Sequence, residues 1–163
     1  MLIRAIKTGD WPAIATVQQQ SYHDIEPEPL AVLQNKWQLS PDSCFVMELH
    51  DQVQGYCLAH PWLEGNPPAL YSMLEPCLAA NTLYLHDIAV SPEARGHGFA
   101  TQAFRRLVQF ALQQQLPTLS LVAVQGAADY WQMLGFRPCT IEKSLASYTD
   151  DACYMLYSLS RNA

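Results

Sequence analysis

At 163 residues, half of them apolar, the chain has the length of one ordinary domain with a proper core, and no second domain is required. Its formal charge of −6, with nine scattered Lys and Arg, argues against nucleic acid or an anionic membrane as the main partner, while an acidic surface tolerates a cationic amine. Met1-Leu2-Ile3-Arg4 passes straight into a mixed strand and no apolar run reaches the length of a membrane span, so the expectation is a cytoplasmic protein without a signal peptide.

Leu2 to Ile6 reads as a short strand, and Gly9-Asp10-Trp11-Pro12 as a helix start in which Asp10 caps free N–H groups and proline sits in the first turn. Ala13, Ile14 and Val17 supply the apolar stripe. Ser21 to Pro29, with its acids and prolines, is expected to be a loop; Tyr22, His23, Asp24, Glu26 and Glu28 there either attract an amine or, the commoner outcome, are solvated. A helix follows from Leu30 to about Leu39, with Leu30, Leu33 and Trp37 inward. Cys44 to Leu49 and Val53 to His60 form an antiparallel hairpin about His50-Asp51-Gln52, the second strand ending at Pro61. The stretch Pro61 to Thr82 is irregular but too apolar for a free linker, so it either packs on the core or lines a pocket.

From Leu83 to Val90 strict alternation puts Tyr84, His86, Ile88 and Val90 on one face and Leu83, Leu85, Asp87 and Ala89 on the other. Ser91-Pro92 ends this strand. Beyond Gly98, the residues Ala100, Ala103, Phe104, Leu107, Val108 and Ala111 recur at helical spacing until Pro117. Thr118 to Val124 is a β-prone, buried and partly parallel strand, and Gln125-Gly126 turns into a short helix that Gly135 stops. Ala152 to Leu159 alternates as a last strand.

Between the central strand and helix lies Arg95-Gly96-His97-Gly98-Phe99-Ala100, where two glycines let a ligand approach the backbone. The following first helical turn offers unpaired N–H groups and the positive end of the macrodipole, a place for phosphate. Neither the P-loop nor the dinucleotide fingerprint fits, since no Lys-Ser/Thr and no third glycine follow; alone, the motif reads as a Gly-rich turn. Five widely spaced cysteines, Cys44, Cys57, Cys77, Cys139 and Cys153, suggest reduced thiols, and the five histidines show no metal-binding spacing.

Together with the strand ending Ile88-Ala89-Val90, the Ser91-Pro92-Glu93 turn and the downstream Ala127-Ala128-Asp129-Tyr130-Trp131-Gln132-Met133-Leu134-Gly135-Phe136, this motif resembles the GNAT superfamily of acetyl-CoA-dependent N-acetyltransferases. The family signature is Arg or Gln, two residues, Gly, one residue, then Gly or Ala, which Arg95 to Ala100 matches in full. The resemblance covers essentially the whole chain and implies an α/β (α+β) GNAT fold: a mixed central sheet of about seven strands, mostly antiparallel and splayed at the middle, flanked by about four helices. It also implies that the backbone from Gly96 through His97, Gly98, Phe99 and Ala100 to Thr101, with Arg95, binds pyrophosphate, and that Ile88, Ala89 and Val90 bind pantetheine. The Val90 N–H would polarise the thioester, with Gln125, Tyr130 and Trp131 completing the cofactor set.

For the base the candidate is His86, whose residue type titrates near neutral pH and which takes a proton directly or through water; a histidine satisfied in the core is the alternative. Tyr84-Leu85-His86 aligns with the two histidines of the arylalkylamine N-acetyltransferase branch, the first replaced by Tyr84. Where the family commonly has its acidic tyrosine, four residues before the Gly of Leu-Gly-Phe, this chain has Trp131, so either Tyr130 takes over or no side-chain acid exists. The expectation is acetyl transfer from acetyl-CoA to a primary amine of a small molecule, without a metal, with a homodimer left open. Peptide or protein N-acetylation and a non-catalytic acyl-CoA sensor are the alternatives.

Overall fold

The computed structural model describes residues 1–159, in which seven strands form: β1 (Leu2–Ala5), β2 (Phe45–Leu49), β3 (Gln52–Trp62), β4 (Thr82–Val90), β5 (Thr118–Ala123), β6 (Arg137–Pro138) and β7 (Cys153–Ser158). They make one sheet in the order β1-β2-β3-β4-β5-β7-β6. β4 and β5 run parallel and the other neighbouring pairs antiparallel. Four helices flank the sheet: α1 (Trp11–Ser21), α2 (Leu30–Leu39), α3 (Phe99–Gln113) and α4 (Ala128–Leu134). The mixed, mostly antiparallel sheet with four helices is the architecture expected from the sequence.

Each face of the sheet has its own apolar layer. Ile14, Val17 and Leu33 of the first two helices pack with Val46, Tyr56, Leu58 and Ala89, while Phe99, Ala103, Phe104, Leu107 and Ala111 of α3 and Trp131 of α4 pack with Leu83, Leu85, Leu119 and Leu121. The buried residues of α3 recur at helical spacing, so one stripe faces the sheet while Arg105 and Gln109 stay outside. The helix stops where Gln115 enters the left-handed region at φ 58° and the Leu116 N–H reaches back to the Ala111 carbonyl at 2.9 Å.

Three local expectations are corrected. Asp10 stands before α1 without capping it; its carboxylate instead accepts the Lys7 N–H at 2.7 Å and two Arg4 N–H groups at 2.8 and 2.9 Å. Pro61 does not end β3, which pairs onward through Pro61↔Leu83 and Trp62↔Thr82. Pairing with β2 ends at Phe45↔Cys57, so this end of β3 is an edge on that side and has no ladder to lose to a proline. Third, the alternation in β4 breaks at His86: Leu58 pairs with Asp87 and the next residue, Ala59, with Leu85, which leaves His86 as the extra residue of a β-bulge. The bulge moves Asp87 to the face of Tyr84 and Ala89, and Ile88 and Val90 to the face of Leu83 and Leu85.

Candidate active site

β4 and β5 pair only through Leu83↔Leu119, Tyr84↔Ser120 and Leu85↔Leu121, then part. The gap is a cleft of about 300 Å³ between Leu85 to Val90 on one side and Leu121 to Val124 on the other, bounded also by Ala127, Tyr130 and Trp131. One end reaches Arg95 and Ala100; also on its lining are Ser21, Tyr22, His86 and Asp87. The Ser91 N–H donates to the Gln54 carbonyl at 2.7 Å, so Ser91 faces β3. Ile88 and Val90 face the other way, their carbonyl oxygens lying 3.3 and 3.5 Å from the hydroxyls of Tyr22 and Ser21. Because the N–H and C=O of one strand residue point to the same edge, the N–H groups of Ile88 and Val90 point into the cleft and are free to bind a guest.

At the α3 end, Gly98 adopts φ 75° and ψ 21°, a left-handed conformation that glycine takes without a Cβ penalty. The first bond reaching into the helix runs from the Gln102 N–H to the Gly98 carbonyl at 3.1 Å, which leaves the N–H groups of Phe99, Ala100 and Thr101 available. No acidic residue stands in this first turn. Arg95, Gly96, His97, Gly98, Ala100 and Thr101 line a second hollow of about 320 Å³ that shares Val90, Arg95, Ala100 and Tyr130 with the cleft. Phe99 also borders it, but its side chain is buried in the core, so it offers backbone there. The His97 ring nitrogen Nδ1 is tied to the Ala94 carbonyl at 2.9 Å. Strand edge and helix start thus form a continuous channel with donors at one end for phosphates and along one wall for amide groups.

On the opposite face of the sheet, polar groups are buried where the sequence suggested solvent. In the loop before α2, His23, Asp24 and Glu26 are exposed as expected, but Tyr22 and Glu28 turn inward, and the Tyr22 and Tyr56 hydroxyls both donate to Asp87, the second at 2.6 Å. Burial pushes the Asp87 carboxyl up, against the pull of His86 and the two tyrosines, and pushes both phenols up as well. Glu28 is buried and its Oε1 lies 2.8 Å from His86 Nε2, with side chains 4% and 0% exposed. Lys36 of α2, fully buried, donates to the Ser72 carbonyl; burial pushes its ammonium down, against the attraction of Glu28. Tyr84 and Tyr148 join hydroxyls at 2.9 Å, and Tyr148 donates to the Pro68 carbonyl at 2.6 Å. These bonds, with Asn35 holding both the N–H and carbonyl of Leu74, pack the Pro61 to Thr82 stretch onto the body of the protein.

Of the residues singled out from the sequence, the structure gathers Ile88, Ala89, Val90, Arg95, Ala100, Tyr130 and Trp131 around the cleft, and Gly96, His97, Gly98, Phe99 and Thr101 around the adjoining hollow. Tyr130 stands at the rim, 40% exposed, while Trp131 is buried edge-on to Phe136 at 5.4 Å. Gln125 lies elsewhere: its side chain accepts the N–H groups of His23 and Asp24 at 3.2 and 3.1 Å and donates to the Ser21 carbonyl, clamping the loop after α1. His86 is on the lining of the cleft, and its fully buried ring packs beside Glu28, His60 and Tyr84. Glu28, Asp87 and Lys36 were missed as a buried group. Among the described residues, no cluster of three His, Cys, Asp or Glu is placed to hold a metal ion, and no helix is long and apolar enough to cross a membrane.

Residues 11–136 match the model of the Acetyltransferase (GNAT) family. No curated protein matches the sequence at a significant level. Among solved structures, the GNAT-like decarboxylase GphF in complex with isobutyryl-CoA superimposes with a TM-score of 0.79 at 15% identity, over 98% of this chain and 100% of that one. The ribosomal-protein-S18-alanine N-acetyltransferase from Escherichia coli gives 0.68 at 17% identity, over 97% and 93%. Rv2747 from Mycobacterium tuberculosis, in complex with CoA and NLQ, gives 0.69 at 17%, over 97% and 99%. At such identities the likeness concerns the fold, and this range of activities shows that the fold does not choose the reaction. The family match, which spans most of the chain, settles the broader point: the chain belongs to the acetyltransferase (GNAT) family.

Proposed function

We propose that this acyltransferase, a single domain over its 163 residues, moves the acetyl group of acetyl-CoA to a primary amine of a small molecule, with both substrates held at once. The observation that carries the reading is the parting of β4 and β5, which leaves the N–H groups of Ile88 and Val90 pointing into a cleft continuous with the free first turn of α3. The residues fit the donor: Arg95 and the backbone of Gly96 to Thr101 suit its phosphates, Ile88, Ala89 and Val90 its amide-rich arm, and Tyr130 and Trp131 the side of that arm. Acetyl-CoA supplies an activated acyl group; the protein supplies position, donors and proton transfer.

The amine nitrogen bonds to the thioester carbon, the carbon–sulfur bond breaks, the amine gives up a proton and the sulfur gains one. The Val90 N–H is the donor that polarises the carbonyl. His86 takes the amine's proton through water, its ring being fully buried beside Glu28. Tyr130, exposed at the rim, returns a proton to sulfur. Holding both partners in attack geometry supplies ~7 kcal/mol or more of the barrier reduction.

A small amine is favoured over a peptide because the acceptor side is covered. Tyr71 donates its N–H to Glu28 and its hydroxyl to the Glu26 carbonyl, and Leu70 donates to Ser147, so the Pro61 to Thr82 stretch is tied down over the loop before α2 rather than left open. The aromatic rings of Tyr22 and Tyr130 on the cleft lining support an acceptor with an apolar or aromatic body, as in the arylalkylamine branch. A melting experiment with CoA and acetyl-CoA tests the donor half: at a hundred times its dissociation constant a ligand stabilises the fold by about 2.7 kcal/mol. No upward shift with either would return the α3 entrance to a plain turn.

A further inference from the structure

Glu28 and His86 meet from distant parts of the chain, one in the loop before α2, the other at the bulge of β4. Glu28 Oε1 lies 2.8 Å from His86 Nε2, and Oε2 accepts the Tyr71 N–H at 2.9 Å. Burial raises the Glu28 carboxyl, while the hydrogen bonds from His86 and the Tyr71 N–H and the attraction of Lys36 pull it down, and both of its oxygens stand as acceptors, Oε2 to the Tyr71 N–H and Oε1 to the His86 ring. An ionised carboxylate only accepts, and Nε2 therefore carries the hydrogen. A neutral imidazole has one N–H, so its Nδ1 is a lone pair, and Nδ1 of His86 is buried with no partner.

The neighbouring ring repeats the pattern. His60 Nδ1 lies 3.2 Å from the Pro61 carbonyl, which only accepts, so His60 also leaves a lone pair, on Nε2, and this atom too is buried without a partner. The two rings stand 6.4 Å apart, centre to centre. Two unsatisfied acceptors on adjacent rings call for a hydrogen-bond donor, and water is the smallest that serves. Burial holds His60 down to about 3, so its ring is neutral at neutral pH.

Resting on the reading of His86 as the base, we propose that Glu28 is a positioning residue. It fixes His86 with its hydrogen on Nε2, makes Nδ1 the atom that accepts the amine's proton, and holds the imidazolium that results. Tyr71 fixes Glu28 in turn, so the segment covering the acceptor side is tied to the orientation of the base.

The test joins spectroscopy to kinetics on the full chain. In the ¹⁵N spectrum of the wild-type imidazoles, neutral His86 is expected with a protonated Nε2 and an unprotonated Nδ1; the reverse tautomer overturns the proposal without any variant having to fold. With acetyl-CoA and phenylethylamine, or the amine of a panel that replaces it, Glu28→Gln keeps an acceptor and is expected to lower kcat ~10-fold, whereas Glu28→Leu removes it and is expected to lower kcat ~100-fold or more. In both, the KM for acetyl-CoA stays within about twofold, since the donor cleft is untouched. Wild-type kcat in Glu28→Leu overturns the assignment. Wild-type turnover in His86→Ala removes the base itself, a failure of the underlying reading that leaves the ¹⁵N result standing.

Discussion

Gly98 separates what the backbone needs from what a ligand needs. A Cβ built on it meets nothing within 4 Å, yet its φ of +75° is a conformation that L residues resist. Gly98→Ala therefore costs conformational strain alone, about 1 kcal/mol, and a chain of this length loses roughly 2 to 4 °C of Tm for each such kcal/mol. Gly98→Glu carries the same strain, but its carboxylate sits at the positive end of α3 and recovers about 0.5 kcal/mol. The ligand-free glutamate variant is thus expected to melt no lower than the alanine variant. Affinity for CoA runs the other way. A carboxylate about 4 Å from a phosphate charge costs about 4 kcal/mol at an effective dielectric of 20, and salt reduces this. The expected loss is ~100- to 1,000-fold for Gly98→Glu against at most ~10-fold for Gly98→Ala, because 1.4 kcal/mol is tenfold. Calorimetric melting of the free proteins and titration with CoA read the two orders separately. If Gly98→Glu binds CoA as tightly as wild type, phosphate does not lie at the start of α3.

His86→Ala is expected to lower turnover ~100-fold or more while leaving CoA affinity unchanged, measured by thiol release and titration. If His86→Ala works normally and Asp87→Asn does not, the base is Asp87, the next residue of β4, whose buried carboxylate is held by Tyr22 and Tyr56. Tyr130→Phe is expected to lower kcat ~10- to 100-fold with little change in stability, since the ring stays and the exposed hydroxyl alone is lost; unchanged kcat would leave protonation of sulfur to solvent. On the acid side, the Arg4 guanidinium holds the Asp10 carboxyl below its ordinary value of 3.8. A depressed folded value means that the unfolded chain binds more protons there, so this contribution is present above about pH 3.8 and is lost as pH falls through the folded value. Asp10→Asn is expected to flatten the acid limb of the stability curve below that pH, in denaturant titrations at stepped pH, and an unchanged slope would refute the coupling.

Much of this was legible because it rests on short-range periodicity. The stripe of α3, the β-prone buried run of β5, and glycine at the left-handed stop of α4, where Gly135 has φ 111°, are each encoded within a dozen residues. What escaped is long-range or hidden by a register break. Strict alternation in β4 put Asp87 among Leu83 and Leu85, a carboxylate in an apolar layer, and that conflict was the signal for a bulge next to two consecutive polar residues, His86-Asp87. Glu28 was left between attracting an amine and being solvated, and Lys36 gave no signal, because the groups that bury them come from β4 and from the segment around Tyr71 and Ser72. Pro61 reads as a strand end until β2 is seen to have stopped already.

The central claim is that the cleft between β4 and β5 delivers an acetyl group to an amine. Its most direct test is the release of free thiol from acetyl-CoA by the wild-type protein across aromatic amines, aliphatic amines, polyamines and short peptides, each with an amine-free control. The account expects release that depends on a small primary amine and gives the acetylated amine in equal amount. Release only with peptides would move the acceptor to a polypeptide; saturable CoA binding with no amine-dependent release from any of them would contradict the claim and leave a domain that binds acyl-CoA without transferring it.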